Sequence, residues 1–141
     1  MKIRDVMTPN PRTVSPNDTV QSVAQIMRAE DTGAVPVVEN GRVLAMVTDR
    51  DIVVRVVADG GTYSGPVSAI ASMGVVTASP EMSTKDAEAL MGEQQIRRLP
   101  VVENERLVGI VSLGDLAVKS GHDDRVGETL EHISEGVKEH I

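Results

Sequence analysis

A mixed α/β (α+β) fold made from two copies of one unit is what this sequence predicts, and three observations predict it. The 141-residue chain repeats itself: Ala34–Asp51 is restated at Arg98–Asp115, with Pro36 answered by Pro100 sixty-four residues later. The same offset carries Thr13 to Thr77, Ser15-Pro16 to Ser79-Pro80, Met27 to Met91 and Asp51 to Asp115 without a gap. Each copy holds two short β-branched runs on either side of a turn, and each holds apolar residues at helical spacing.

Residues 3–8 read as a short lead-in segment that passes through Pro9-Asn10-Pro11 to a strand around Arg12–Val14, and Val67–Ser72 is the counterpart of that lead-in. Ser15-Pro16-Asn17-Asp18 signals a helix start, after which Val20, Val23, Ala24 and Met27 form one apolar stripe. Ser79-Pro80-Glu81 opens the matching helix, with Ala87, Leu90 and Met91 inward. Val35–Val38 and Val43–Val47 are strands, and Asn40-Gly41 supplies the positive-φ pair of a tight hairpin. The pattern then turns helical from about Asp49 to Ala58 and stops at Asp59-Gly60-Gly61. Each unit is therefore strand, helix, strand, strand, helix. The expected boundaries are residues 1–60 for the first repeat, 61–66 for a linker, 67–120 for the second repeat and 121–141 for a tail.

In the tail, Asp123-Asp124 is a helix start, and Val126, Leu130, Ile133, Val137 and Ile141 fall on one face. Such a stripe predicts packing, either on the module itself or on a second subunit.

A single repeat of some 55 residues would bury too little surface alone, so the halves are expected to depend on each other. There is no cysteine, which excludes disulfides and thiolate chemistry. Tyr63 is the only aromatic residue, so any bound base would lie in an aliphatic slot, and stacking of single-stranded nucleic acid is disfavoured. Net charge is −7 and the surplus sits in the tail, with 2 basic and 6 acidic side chains over 121–141. No broad basic face for duplex binding results. Neither a long apolar span nor a basic, apolar leader is apparent, and the expectation is a cytoplasmic protein without membrane attachment.

Thr48-x-x-Asp51 and Ser112-x-x-Asp115 are the most informative motifs. Two chemistries fit them. One is a capping box, the hydroxyl capping a backbone N–H while the acid favours the positive end of the helix. The other is a carboxylate at a strand-to-helix junction that accepts two hydrogen bonds from a cis-diol, as ribose presents. Arg97-Arg98, just before the second Pro-Val-Val, reads by itself as two solvated arginines at a strand edge. The first repeat has Gly33-Ala34 there, and its own arginine, Arg50, stands where the second has Gly114.

Catalytic motifs are missing: there is no glycine-rich phosphate loop, no Gly-x-Ser-x-Gly and no His-Glu-x-x-His. His122, His132 and His140 all lie in the tail without a convergent third ligand, so no metal site is expected, and Glu128, Glu131, Glu135 and Glu139 read as a solvated face.

The repeated Pro-Val-Val, the strand pair, and the Val-Thr-x-x-Asp and Val-Ser-x-x-Asp endings together resemble tandem CBS domains, a Bateman module, over residues 1 to about 118. That resemblance implies two β-α-β-β-α units related by pseudo-twofold symmetry, with clefts that bind AMP, ADP, ATP, S-adenosylmethionine or NAD-type ligands. It implies that Asp51 and Asp115 hold ribose hydroxyls with Thr48 and Ser112 beside them. Arg50, Arg97 and Arg98 would meet phosphate. Thr13, Val14, Thr77 and Ala78 would edge the base, and Val35, Pro36, Leu99 and Pro100 would line its slot. The ligand would be an effector rather than a required cofactor, the assembly a homodimer, and an unidentified downstream protein the listener. A ligand-free homodimerisation module is the alternative.

Overall fold

The computed structural model describes residues 1–120 and 127–133. In chain order its elements are β1 (Thr8–Pro9), α1 (Val20–Glu30), β2 (Ala34–Glu39), β3 (Arg42–Thr48), α2 (Asp49–Ile52), β4 (Ser72–Met73), α3 (Thr84–Gln94), β5 (Arg98–Glu103), β6 (Arg106–Ser112) and α4 (Leu113–Ser120). Residues 127–133 form a further helical stretch. Two three-stranded sheets result, ordered β2-β3-β4 and β1-β6-β5.

The hairpin of the first repeat forms as its residues dictate. Ala34 stands opposite Thr48 and Val35 opposite Val47, and Asn40-Gly41 turns with φ of 54° and 82°. Gly41 is favoured by its positive φ, whereas the Arg106 guanidinium beside it belongs to an exposed side chain that can move aside. In the second hairpin Asn104 and Glu105 adopt the same left-handed pair, φ 51° and 66°.

Both early helices begin one turn later than the serine-proline signals suggest. Ser15–Asp18 is instead a turn, closed by Asp18 Oδ2 accepting from the Ser15 N–H at 2.8 Å. Thr19 caps α1 and Ser83 caps α3, each through its hydroxyl oxygen. The stretch Arg12–Val14 is reduced to one parallel bridge, Val14 to Val37, mirrored by Ala78 to Val101. The late helix of the first repeat also departs from expectation, for after Ile52 it widens to a π-turn over Val53–Val57, with the Ala58 N–H bonded to the Val53 carbonyl at 2.9 Å. A valine-rich run crowds an ordinary helical turn, and π-turns concentrate at functional sites.

The compact units cut across the repeats. One comprises Pro11–Val75 with Glu105–Leu107; the other comprises Met1–Asn10, Val76–Asn104 and the described residues from Val108 on. Each lead-in segment thus completes the sheet of the opposite repeat: β4 pairs with β3, and β1 pairs with β6, Pro9 facing Gly109. The contacts repeat in detail. Ile3 N–H donates to the Met82 carbonyl at 2.8 Å, as Val67 N–H does to Asp18 at 2.8 Å. Lys119 Nζ donates to the Val6 carbonyl at 3.0 Å, as Arg55 Nη1 does to Ile70 at 3.0 Å. Both carbonyls end a 3-10 turn, where a cation is favoured.

Each unit has its own aliphatic core. Val23, Val35, Val37, Val47 and Val67 are fully buried in one. Ile3, Met91, Leu99, Val101 and Leu116 are fully buried in the other. The stretch 127–133 packs into the second core through Ile133, and Thr129 Oγ1 donates to the Glu88 carbonyl at 3.2 Å. Leu130, which the stripe places inward, is 41% exposed; buried Thr129 takes the inward place, its methyl against the bare Cα side of Gly92. Val126, Val137, Ile141, Asp123, Asp124, His122, His140, Glu135 and Glu139 lie outside the described residues.

Candidate ligand site at the strand-to-helix junctions

In each repeat the second hairpin strand runs directly into a helix, and its last residue caps that helix. Thr48 Oγ1 accepts from the Asp51 N–H at 3.1 Å, and Asp51 Oδ2 accepts from the Thr48 N–H at 2.9 Å. Ser112 and Asp115 make the same reciprocal pair, 3.0 Å each way. The capping box of the sequence analysis is therefore present twice. It leaves the carboxylates with acceptor capacity, because each capping bond engages one oxygen and an ionised carboxylate offers about four lone-pair sites. Asp51 Oδ1 lies 3.9 Å from Arg55 Nε, and the Asp51 side chain is only 12% exposed.

A second backbone link closes each junction. Asp49 N–H donates to the Gly33 carbonyl at 3.0 Å, and Leu113 N–H to the Arg97 carbonyl at 2.8 Å. Arg97 is thereby fixed against the Ser112–Asp115 turn with its side chain exposed, and Arg98, at the start of β5, is half-buried. Arg50 is exposed on α2. A third link adds the chain before α1: Val14 N–H donates to the Pro36 carbonyl at 3.1 Å and Val38 N–H to Val14 at 2.8 Å. Ala78 is held between Pro100 and Val102 in the same way, at 2.9 and 2.8 Å.

These links gather the expected residues at one end of each sheet, where β2 or β5 begins and β3 or β6 ends. In the first unit the bonds tie Val14 to Pro36 and Thr48 to Asp51, with Thr13, Val35 and Arg50 their neighbours along the chain. In the second they tie Ala78 to Pro100, Arg97 to Leu113 and Ser112 to Asp115, with Thr77, Arg98 and Leu99 alongside in sequence. Within each set the residues divide by burial. Thr13 and Thr77 are exposed, whereas Val14, Ala78, Val35, Leu99, Pro36 and Pro100 are buried.

Two features escaped the sequence reading. Arg55 and Lys119 lie one turn after Asp51 and Asp115, a spacing that brings acid and base to one helix face and was visible in both copies. Asp49 folds back over Gly33, a contact that no spacing rule announces. Among the described residues no group of three His, Cys, Asp or Glu is placed to hold a metal ion, and no helix is long and apolar enough to cross a membrane.

Paired α+β units with a hydroxyl and an aspartate at each strand-to-helix turn define the class of tandem CBS-domain proteins. The family model for the CBS domain matches residues 3–58 and 67–120, and the chain belongs to that family. It is 47% identical over 132 residues to the CBS domain-containing protein YhcV of Bacillus subtilis (strain 168), covering 94% of each chain. A crystal structure of Hypoxic Response Protein I with two coordinated zinc ions superposes with a TM-score of 0.78 at 33% identity, over 84% of this chain and 98% of that one. Two more distant structures share the fold. The CBS domain pair of MJ0100 in complex with 5-methylthioadenosine and S-adenosyl-L-methionine has a TM-score of 0.78 at 23% identity, over 87% and 98%. CBSX2 in complex with AMP has a TM-score of 0.74 at 22% identity, over 87% and 98%.

Proposed function

We propose that this protein is a regulatory module that binds an adenosine-containing ligand, of the AMP, ADP, ATP, S-adenosylmethionine or NAD type, at its strand-to-helix junctions. The observation that carries the reading is the junction itself, built twice, with a capped carboxylate beside a hydroxyl at the open end of a sheet. Ribose hydroxyls donate to Asp51 or Asp115 next to Thr48 or Ser112, the base lies by Thr13 or Thr77, and Arg97 and Arg98 meet phosphate. The adenosyl ligands of MJ0100 and CBSX2 support this assignment. The ligand is an effector: it prefers one arrangement of the module and shifts the population toward it, which a downstream protein in the cytoplasm then reads. No catalytic step, nucleic acid or membrane enters this reading.

A thermal-shift panel with AMP, ATP, S-adenosylmethionine and NAD tests it. A ligand at a hundredfold excess over its dissociation constant adds about 2.7 kcal/mol, a readily measured rise in melting temperature. If none of the four moves the transition and titration calorimetry records no heat, the reading is wrong for these ligands.

Homodimerisation has its own supporting observation. Val53, Val54 and Val57 are 58%, 45% and 67% exposed along the α2 and π-turn segment, an apolar surface that a second copy would cover. Light scattering is expected to report a dimer that Val57→Asp converts to monomer. A wild-type protein that stays monomeric at high concentration would remove this role.

A further inference from the structure

The two junctions share a backbone and differ in charge: Gly33, Ala34, Asp49 and Arg50 of the first stand against Arg97, Arg98, Leu113 and Gly114 of the second, and the pair 33/49 against 97/113 differs most. Residues 33 and 49 are joined by the same hydrogen bond as residues 97 and 113. In the second repeat Leu113 is apolar, turns into the core and is buried, which leaves the outer side of the junction to the exposed guanidinium of Arg97. In the first repeat Asp49 cannot turn into an apolar core without a large desolvation cost, so it stays outside. There its carboxylate closes over Gly33: a β-carbon added to Gly33 would lie 3.0 Å from Asp49 Oδ2 and 3.4 Å from Oδ1. The space in which the Arg97 side chain begins is thus occupied, in the other copy, by an anion.

The cations of the first junction do not reverse this. Arg55 donates to the Ile70 carbonyl and faces Asp51. Arg50 is exposed on α2; only its backbone N–H donates to Asp49 Oδ1, at 2.8 Å, and its guanidinium charge does no more than balance that carboxylate, where the second junction has Arg97 with no facing acid among the described residues. A phosphate entering there meets a carboxylate at the place where the second junction offers Arg97.

We infer that the junctions sort adenosyl ligands by charge: the second takes the phosphorylated form, and the first, with Asp49 over Gly33, takes the uncharged nucleoside and rejects phosphate. The inference rests on the nucleotide reading of the junctions and assigns Asp49 as the residue that sets specificity.

Titration calorimetry on the full chain with AMP and with adenosine tests it. Wild-type protein is expected to bind two adenosines but one AMP, with a second AMP weaker by about ten- to a hundredfold, the size of an effect from one charge-assisted contact. Asp49→Asn keeps the shape and removes the charge. It should strengthen the second AMP by about tenfold while adenosine is unchanged. Arg97→Ala should weaken the first AMP by a similar factor, again without affecting adenosine. Two equal AMP sites in the wild type, or a second AMP site that Asp49→Asn leaves as weak as before, would overturn the sorting while leaving nucleotide binding intact. Absence of heat from both AMP and adenosine would instead sink the nucleotide reading, and the sorting with it.

Discussion

Asp115→Ala is expected to lower the melting temperature of the ligand-free protein by a few degrees and to abolish its stabilisation by AMP. The first effect follows from the capping box. Removing the carboxylate frees the Ser112 N–H that it now accepts at 3.0 Å, and loss of a cap costs about 0.5–2 kcal/mol. The second follows from the diol contact and removes the whole ligand increment, about 2.7 kcal/mol at a hundredfold excess. The two must be separated, because a destabilised protein is not by itself a non-binding one. Ser83→Ala does so: Ser83 Oγ accepts from the Asp86 N–H at 3.0 Å in a cap outside the site, so that variant should lose stability and keep the AMP shift. If Asp115→Ala also keeps the full shift, the carboxylate is a cap and nothing more.

Leu99→Ala should be the most damaging of the conservative truncations, costing about 2–5 kcal/mol and on the order of 10 °C in melting temperature. Leu99 is fully buried among Met91, Val101, Leu116 and the lead-in residues Ile3 and Val6. With no phenylalanine or tryptophan in the chain, no large ring is at hand to move into the void, and branched aliphatic neighbours adjust little. Leu130→Ala provides the contrast. At 41% exposure it should cost less than about 1 kcal/mol, whereas a loss as large as that of Leu99→Ala would show that the tail helix is turned the other way.

Much of this was legible in the residues, for reasons that can be named. Asn40-Gly41 between β-branched runs admits essentially one structure, and a threonine or serine three residues before an aspartate can reciprocate bonds only at a helix start. The capping and diol chemistries do not exclude each other in this geometry, since one oxygen per carboxylate meets the capping bond. The helix starts were misplaced because Ser15 and Thr19 are both good caps. Local sequence does not choose between them; a tertiary contact does, the Val67 N–H bonded to the Asp18 carbonyl, which holds residues 15–18 as a turn. The exchange of lead-in segments was equally hidden. Ile3 and Val6 match Val67 and Ile70, so by pattern either repeat could accept either segment.

That exchange has a consequence for how the chain responds to cutting. Tyr63 is exposed in the linker between the repeats, an accessible place for a protease. A nick there would sever the backbone without releasing either fragment cleanly, since residues 1–10 are clasped by the fold of the C-terminal piece and residues 67–73 by that of the N-terminal one. Each fragment carries the other's missing edge strand, so a cut backbone is expected to stay paired through β1 with β6 and β4 with β3.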